Sequence, residues 1–284
     1  MMVTYIYYKI KNIDLYKNKG RLVMDIQKFE SYLKIKHSYY SNPSLEALNY
    51  YVKRFMITVP FENINVQNKI PISVDINDLY NKIVIQRRGG FCYELNHLFA
   101  TYLEHKGFHV TRAAATVRTP NGGRSPEGSH MSLYVNIEGT LYITDVGFGD
   151  LPTSIIEIGS KTQFIPTYDK NGVYRAVWIN DNQYALQKLR QNKWMTLYEA
   201  HLKSQSIKDF EDKISYNEHH PHSIFVRHLL ITQPQSFGRA TMTYHSLTLS
   251  NDSTKHKYDV TTNNYKYFLK KYFNLNVSII PFEP

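Results

Sequence analysis

The amino-acid sequence predicts an α+β protein with a helical N-terminal part, a β-rich middle part and a smaller α/β segment at the end. Apolar residues recur at helical spacing up to about residue 107, alternating and β-branched segments begin at 109, and a helical pattern returns at Tyr265–Phe273. A chain of 284 residues is long enough for a large core and two or three subdomains. The boundaries that we expect are 24–107, 108–205 and 206–284.

Residues 1–23 differ from the rest of the chain, because they are rich in Tyr and Lys and lack clear periodicity. Lys9 and Lys11 interrupt the early apolar stretch and no small-residue cleavage site follows, which argues against a signal peptide. Asp25 is a plausible N-cap for the first amphipathic segment. We therefore expect Met24 to be the natural start and residues 1–23 to be a dispensable extension, whose deletion leaves fold and activity unchanged.

Helical periodicity in the N-terminal part predicts four helices. They are expected at residues 25–35, 43–55, 76–84 and 92–106. The fourth has one apolar stripe that begins at Cys92 and includes Leu95, Leu98 and Phe99, and Gly107 follows as its stop.

Strand patterns dominate from residue 109 onward. The predicted strands are 109–119, 130–137, 140–147, 173–180, 183–191, 225–233 and 239–249. Glu138-Gly139 predicts a tight hairpin loop between the second and third strands, and the Gly/Pro/Ser-rich stretch 120–129 predicts a longer loop. A helix at Tyr265–Phe273 completes the prediction.

The composition excludes some classes of protein. No apolar run approaches the roughly 18 to 20 residues that a membrane span needs, and one cysteine excludes an internal disulfide framework, so we expect a cytoplasmic protein without a membrane partner. The histidines at 219, 220 and 222 have no carboxylate at metal-ligand spacing, so no metal is expected. The oligomeric state is left open.

The formal net charge of +10 does not by itself predict a nucleic-acid partner. Its basic residues are scattered among acidic residues and tyrosines, without an RNP-type motif or a long Lys/Arg block. A basic surface that keeps the protein in solution is the simpler interpretation, and attraction of an anionic small molecule such as a phosphorylated cofactor is the alternative.

The only cysteine, Cys92, lies in the segment Arg87-Arg88-Gly89-Gly90-Phe91-Cys92-Tyr93-Glu94-Leu95-Asn96. The two glycines break regular structure, and the cysteine then falls in the first turn of the predicted helix. Unpaired N–H groups and the helix dipole favour an anion there, and a thiolate is the nucleophilic form of cysteine. The alternative is a cysteine that acts as a small core residue.

A base and an orienting group for this thiol are predicted on the hairpin. If Glu138-Gly139 is a two-residue loop, Asp145 lies opposite Ser132, and His130 lies on the same face two residues earlier. His130 and Asp145 are then diagonal neighbours within side-chain reach. This spacing predicts a Cys92–His130–Asp145 triad. Taken singly, a structural role for the histidine and a turn-capping role for the aspartate stay open.

The same residues carry a family resemblance. The segment 87–96 resembles the nucleophile signature of the arylamine N-acetyltransferases, and His130-Met131 and Asp145-Val146-Gly147-Phe148-Gly149 resemble its other two signatures in the same order. Val59-Pro60-Phe61-Glu62-Asn63-Ile64 is similar to the helical-domain motif of that family. The resemblance extends from about Met24 to the end of the chain and is most specific between residues 58 and 150.

The resemblance implies a helical bundle, a central β-barrel and a C-terminal α/β lid, with a core related to the papain-like cysteine enzymes. It also implies ping-pong chemistry with acetyl-CoA as cosubstrate and no metal. Cys92 takes the acetyl group, and an arylamine, arylhydrazine or N-hydroxyarylamine then accepts it. His130 moves the protons, and Asp145 orients and stabilises the imidazole.

Supporting roles follow from the resemblance and from simple chemistry. Tyr93 N–H is a candidate oxyanion donor, and Arg87 is expected to form a structural ion pair with Glu62. The expected substrate-binding aromatic residues are Phe61, Phe148 and Phe225. The loop expected to contact the CoA phosphates contains Arg118, Gly122, Gly123, Arg124 and Ser129. An ordinary flexible loop and plain core positions for the aromatic residues are the alternatives, and Arg118 stands where the family often has a small apolar residue.

Other functions stay open at this stage. A cysteine hydrolase or a transglutaminase-like enzyme would use the same triad, and an amide synthase of the same family would differ only in its acceptor. A non-enzymatic protein that binds nucleic acid is a further alternative, and it rests on the net positive charge.

Overall fold

A computed structural model describes residues 17–18, 21–22, 24–36, 40, 42–119 and 122–283. The prediction about residues 1–23 therefore lies outside the described residues, apart from a short hairpin in which β1 (Lys17–Asn18) pairs with β2 (Arg21–Leu22). Among the described helices, none combines the length and apolar character that a membrane span requires.

Helices form the N-terminal part, as the periodicity predicts. They are α1 (Ile26–Tyr32), α2 (Leu45–Thr58), α3 (Ile64–Gln67), α4 (Ile76–Tyr80) and α5 (Cys92–His105). The side chains of Asp25, Ser44 and Asp75 cap α1, α2 and α4 by accepting backbone N–H groups of the first turn. The predicted helix 76–84 is correct in place, but its second half is a π-helical turn at Asn81–Ile85.

Aromatic packing holds these helices together. Phe55 of α2 lies 4.9 Å from Phe99 of α5 between ring centroids, and Phe29 of α1 lies 4.7 Å from Tyr102 of α5. All four side chains are buried, so α1, α2 and α5 contribute their apolar faces to one core.

A closed barrel follows the helices. Its seven strands are β4 (Val110–Val117), β5 (His130–Ile137), β6 (Thr140–Ile143), β7 (Ile156–Ile158), β9 (Gly172–Asn180), β10 (Gln183–Arg190) and β11 (Lys193–Ser204). Each pairs with the next in the order β10–β11–β4–β5–β6–β7–β9, and β9 pairs with β10 to close the ring, while β8 (Thr167–Asp169) adds to the outside of β9. The prediction of an α+β fold with a central barrel is thereby confirmed.

Strand β11, the longest of the barrel, was not predicted. Leu186 of β10 pairs with Tyr198, but Gln187 pairs with Thr196, so Leu197 is an extra residue in β11. Leu197 and Tyr198 are both buried although they are adjacent. The bulge therefore breaks the alternation on which the recognition of a strand depends.

The C-terminal part contains an antiparallel sheet and three helices. The sheet consists of β12 (Ile231–Gln235), β13 (Gly238–Met242), β14 (Ser246–Ser250) and β15 (Lys255–Asp259), and the helices are α6 (Glu211–His219), α7 (Ile224–Arg227) and α8 (Tyr265–Phe273). The bounds of α8 are those predicted. The edge of this sheet is completed by β3 (Phe61–Glu62) from the helical part, because Phe61 and Glu62 pair with Thr232 and Ile231.

Two predicted strands are only partly correct in this part. The segment 225–233 begins as helix α7, because Ser223 Oγ accepts the N–H of Phe225 at 3.2 Å and caps a helical turn. The segment 239–249 is two strands, because Thr243 Oγ1 accepts the N–H groups of His245 and Ser246 at 3.3 and 3.2 Å and so turns the chain.

Candidate active site

Cys92 is the first residue of α5 and is 2% exposed. The turn before it is held by Glu94, which accepts the N–H of Phe91 at 3.1 Å and pairs with Lys82 Nζ at 2.7 Å. A Cβ at Gly90 would lie 2.8 Å from Glu94 Oε2, so only glycine lets the backbone approach this carboxylate so closely. The helix start that presents the thiol is thus fixed by buried polar contacts.

His130 and Asp145 meet as the hairpin register predicts. Tyr134 pairs with Ile143, and Thr144 N donates to Leu133 O at 2.9 Å, so the register continues past the end of β6. The distance between His130 Nε2 and Asp145 Oδ2 is 2.6 Å. The predicted strand 140–147 ends at Ile143, and Asp145 lies just beyond it.

Cys92 acts on the same imidazole. Its thiol contributes, together with Asp145, to the raised pKa of His130. Because Nε2 faces the aspartate, Nδ1 is the ring nitrogen left for the thiol. The structure therefore brings together all three residues of the predicted triad.

Asn96, for which no role was predicted, links these residues to one another. Its Nδ2 donates to Asp145 Oδ1 at 2.8 Å and to Met131 O at 2.5 Å, and its Oδ1 accepts the N–H of Val146 at 2.9 Å. It lies one turn after Cys92 on α5 and is fully buried. The signal available in the sequence was an amide side chain four residues after Cys92, which places it on the same face of the helix as the thiol.

Gly147 allows helix and loop to touch. A Cβ at this residue would lie 2.8 Å from Cys92 Cα and 2.7 Å from Asn96 Nδ2. Its N–H also donates to Asp145 Oδ1 at 2.8 Å. Any larger residue would separate the carboxylate loop from the nucleophile helix.

The electrostatics favour an ionised histidine beside an ionised aspartate. Burial opposes a charge on His130, but Asp145 and Cys92 favour the imidazolium more strongly and raise the pKa of His130 to about 10. Burial likewise opposes a charge on Asp145, yet His130, Asn96 and the N–H of Gly147 keep the pKa of Asp145 below its usual value. A histidine that pairs with a buried carboxylate and interacts with a thiol is equipped to move protons to and from that thiol.

Two aromatic rings enclose the imidazole. The centroid of the His130 ring lies 5.2 Å from Phe148 and 5.1 Å from Tyr198, and these two rings are 5.3 Å apart. The hydroxyl of Tyr198 lies 2.9 Å from Ser132 Oγ, so this buried hydroxyl has a hydrogen-bond partner. Tyr198 went unnoticed in the sequence because it lies on the missed strand β11.

Phe61 and Phe225 form a separate aromatic group. Their ring centroids are 6.0 Å apart, and Phe225 lies 5.8 Å from Phe91, the residue before the cysteine. Asn63 Nδ2 donates to the carbonyl oxygens of Phe225 and His228, both at 2.8 Å. The short helix α7 is thereby fastened to the helical part beside the nucleophile turn.

The predicted ion pair between Arg87 and Glu62 is wrong, since the partner of Glu62 is Arg88. Arg88 Nη2 and Nε lie 2.8 and 3.0 Å from Glu62 Oε1, and both side chains are buried. Arg87 has a left-handed backbone with φ of 54° and is exposed. That turn directs the second arginine inward, where it helps to lower the pKa of Glu62 against the effect of burial.

The two arginines of the predicted phosphate loop are paired with a carboxylate. Arg118 Nη2 and Arg124 Nη2 lie 2.5 and 2.7 Å from the two carboxylate oxygens of Glu199. Ser129 Oγ lies 2.6 Å from Ser125 Oγ. Gly122, at φ of 83°, has open space around it, and Gly123 follows in the same loop. The structure holds these residues in one loop.

Within the described residues, no group of three or more His, Cys, Asp or Glu side chains is placed to hold a metal ion. What the site does contain is a thiol on a helix start, facing a histidine–carboxylate pair at the end of a barrel hairpin. This arrangement defines an enzyme of the cysteine-nucleophile class.

Comparison with known proteins identifies the family. The sequence model of the N-acetyltransferase family matches residues 44–281. The chain is 33% identical over 190 residues to an arylamine N-acetyltransferase of Escherichia coli, a match that spans 66% of each chain, just under two thirds. It is 30% identical over 220 residues to arylamine N-acetyltransferase 1 of Mus musculus, a match that covers 72% of this chain and 75% of the relative.

Solved structures agree with the sequence relatives. The arylamine N-acetyltransferase of Salmonella typhimurium superposes with a TM-score of 0.81 at 26% identity, covering 90% of this chain and 93% of that one. That of Bacillus cereus, described as having a unique Cys-His-Glu catalytic triad, gives 0.80 at 26% identity and covers 89% and 100%. The chain belongs to the arylamine N-acetyltransferase family.

Proposed function

We propose that this chain transfers an acetyl group from acetyl-CoA to an arylamine, arylhydrazine or N-hydroxyarylamine by a ping-pong mechanism through Cys92. The observation that carries the proposal is the position of His130, whose Nε2 lies 2.6 Å from Asp145 Oδ2 and whose pKa is raised by both Asp145 and the Cys92 thiol. Membership of the family supports the reaction class.

In the first half-reaction, the Cys92 thiolate attacks the thioester carbonyl of acetyl-CoA. The bond from the acetyl carbon to the CoA sulfur breaks, and the imidazolium of His130 protonates the departing thiolate. The N–H of Tyr93, in the first turn of α5, is our candidate donor to the negative oxygen of the tetrahedral intermediate. Asp145 keeps the imidazole oriented while its charge changes.

In the second half-reaction, the acceptor amine attacks acetyl-Cys92. The neutral His130 removes a proton from the attacking nitrogen, the bond between the acetyl carbon and sulfur breaks, and the thiolate–imidazolium pair is restored. We propose that Phe61, Phe148 and Phe225 form the apolar walls for the aromatic acceptor. The three rings lie in two groups, one against His130 and one against Phe91, and both groups border the nucleophile.

We further propose that the loop 118–129 contacts the phosphates of CoA. Arg118 and Arg124 both pair with the carboxylate of Glu199, so their two guanidinium groups lie close to each other. Guanidinium groups bind phosphate through paired N–H donors, and a phosphate would compete with Glu199 for them.

The test is intact mass spectrometry of the purified protein after incubation with acetyl-CoA alone. We expect a single acetyl-sized gain that is absent in Cys92→Ala and is discharged by an added arylamine. A mass gain that persists in Cys92→Ala would contradict the assignment of the nucleophile. Rapid loss of the acetyl group to water without any amine would instead favour a cysteine hydrolase.

A further inference from the structure

A basic groove of about 1420 Å³ lies between segments of the helical, barrel and C-terminal parts. Cys92, His130 and Asp145 are absent from its walls. Seven cationic side chains line it, one of which is Arg54. The other six are Lys28, Lys34, Lys53, Arg87, Lys170 and Lys271.

These cations have no carboxylate partner within the part of the chain that the structure describes. Where they do make hydrogen bonds, their acceptors are neutral oxygens. Arg54 Nε donates to Leu33 O at 2.7 Å, and Lys170 Nζ donates to Ser236 O at 2.7 Å. Seven positive charges therefore line the groove without an ion pair to a carboxylate within the described residues.

Asp169 is the only described carboxylate that lines the groove, and its oxygens are already used. Oδ2 accepts the N–H and the hydroxyl of Thr153 at 2.9 and 2.8 Å, and Oδ1 accepts the N–H and Nδ2 of Asn171 at 2.8 and 2.6 Å. Burial opposes its charge, but these four hydrogen bonds hold the pKa of Asp169 below its usual value. The carboxylate stabilises its own turn and leaves the lysines and arginines unpaired.

Arg87 reaches the groove through an unusual backbone. Its left-handed conformation, with φ of 54°, leaves its side chain exposed while the neighbouring Arg88 turns inward to Glu62. Residues other than glycine rarely adopt this conformation, which costs roughly 1 kcal/mol and is enriched at ligand sites. The same turn that supports the nucleophile thus supplies the groove with a guanidinium.

We propose that the basic groove binds a small molecule that carries two or more phosphate groups. A multiply charged anion relieves the mutual repulsion of several cations at once, and phosphate oxygens accept hydrogen bonds from both guanidinium and ammonium groups. Ligand sites commonly form where separate parts of a protein meet. The walls converge from three parts of the chain, a shape that suits a compact ligand better than an extended nucleic-acid strand.

The site can be tested by isothermal titration of Cys92→Ala protein with inorganic tripolyphosphate, which removes acetyl transfer from the measurement. The groove variant Lys28→Glu/Lys53→Glu changes two exposed residues on α1 and α2. Its matched control, Lys255→Glu/Lys257→Glu, changes two exposed residues on the edge strand β15 and alters the net charge equally.

We expect saturable binding that weakens by about tenfold or more in the groove variant, stays within about twofold in the control, and falls as salt increases. No saturable binding, or an equal loss in both double variants, would overturn the proposal. So would tighter binding of single-stranded oligonucleotides with affinity that rises with their length, because that result describes a nucleic-acid surface.

A titration with CoA in place of tripolyphosphate distinguishes two sources of the phosphate. CoA binding that is weaker in the groove variant but not in the control variant would assign the groove to the proposed cosubstrate. Unchanged CoA binding together with lost tripolyphosphate binding would assign it to a separate phosphorylated ligand. Both results support a phosphate site, and neither depends on the acetyl-transfer chemistry of the protein.

Discussion

Replacing Asp145 by Asn should remove nearly all acetylation of Cys92 while the protein stays folded. In the wild type, Oδ1 accepts hydrogen bonds from Asn96 Nδ2 and Gly147 N, both at 2.8 Å, and Oδ2 faces His130. An asparagine has one acceptor oxygen, and placing its NH₂ group against those two donors would cost about 1–3 kcal/mol for each lost contact. The amide oxygen is therefore expected to keep the two donors.

The NH₂ group of the new side chain then faces His130 Nε2. To accept its hydrogen bond, Nε2 must be unprotonated, so the proton of the neutral imidazole moves to Nδ1, which faces the thiol. An imidazole in this tautomer cannot take the proton of Cys92. The equivalent change in a serine-based triad lowers the rate by about 10⁴, which corresponds to about 5 kcal/mol of transition-state stabilisation.

The assay is single-turnover acetylation by acetyl-CoA, followed by intact mass, with circular dichroism to verify folding. Asp145→Glu is the control, since it keeps the negative charge beside His130. We expect the glutamate variant to retain more activity than the asparagine variant. Acetylation of a folded Asp145→Asn protein within about tenfold of wild type would refute the tautomer argument.

Three further predictions concern stability and packing. The pKa of His130 is raised to about 10 in the folded state. The contribution of His130 to the free energy of unfolding is therefore complete below the unfolded-state pKa near 6.5 and is lost as the pH rises through 10. Urea unfolding should therefore show the advantage of wild type over His130→Gln shrinking between pH 6 and 10, and a constant difference would contradict this. Arg88→Ala should lower the free energy of unfolding by about 3–5 kcal/mol, because it leaves the buried carboxylate of Glu62 unpaired. Arg87→Ala should change the free energy of unfolding by less than about 0.5 kcal/mol. Equal effects of the two variants in urea titrations would argue against the pair between Arg88 and Glu62. Gly147→Ala should lower both stability and acetylation, because its Cβ would lie 2.8 Å from the backbone of the nucleophile helix; a melting temperature and rate like those of wild type would show that the contact is not tight.

The register of the hairpin in the site was predictable to the residue, because it depends only on a two-residue loop and on the alternation of side chains. Ile137 pairs with Thr140 as that loop requires, and His130 and Asp145 consequently share a face. The start of α5 at Cys92 was predictable for a similar reason, since a local pattern of glycines and apolar spacing determines it.

Features that depend on contacts between distant segments were not predictable in the same way. Asn96 acquires its role only when α5 meets the loop after β6, and Tyr198 lies on a strand whose bulge at Leu197 disturbs the alternation. The choice between Arg87 and Arg88 depends on one left-handed residue, and the sequence offered two equivalent arginines. Local patterns specify elements, whereas long-range contacts decide which polar side chains they bring together.

The pairing of β3 with β12 has a consequence for how the chain folds. Phe61 and Glu62 belong by position to the helical part, yet they complete the edge of a sheet whose other strands begin some 170 residues later. Asn63 extends this link through its hydrogen bonds to Phe225 and His228. A fragment that ends before α7 would lack β12 and so expose the backbone of β3, and it would also leave the Asn63 amide without these acceptors. We therefore expect the three successive parts to depend on one another for stability. During synthesis, the turn before Cys92 should reach its native conformation only after nearly the whole chain has left the ribosome.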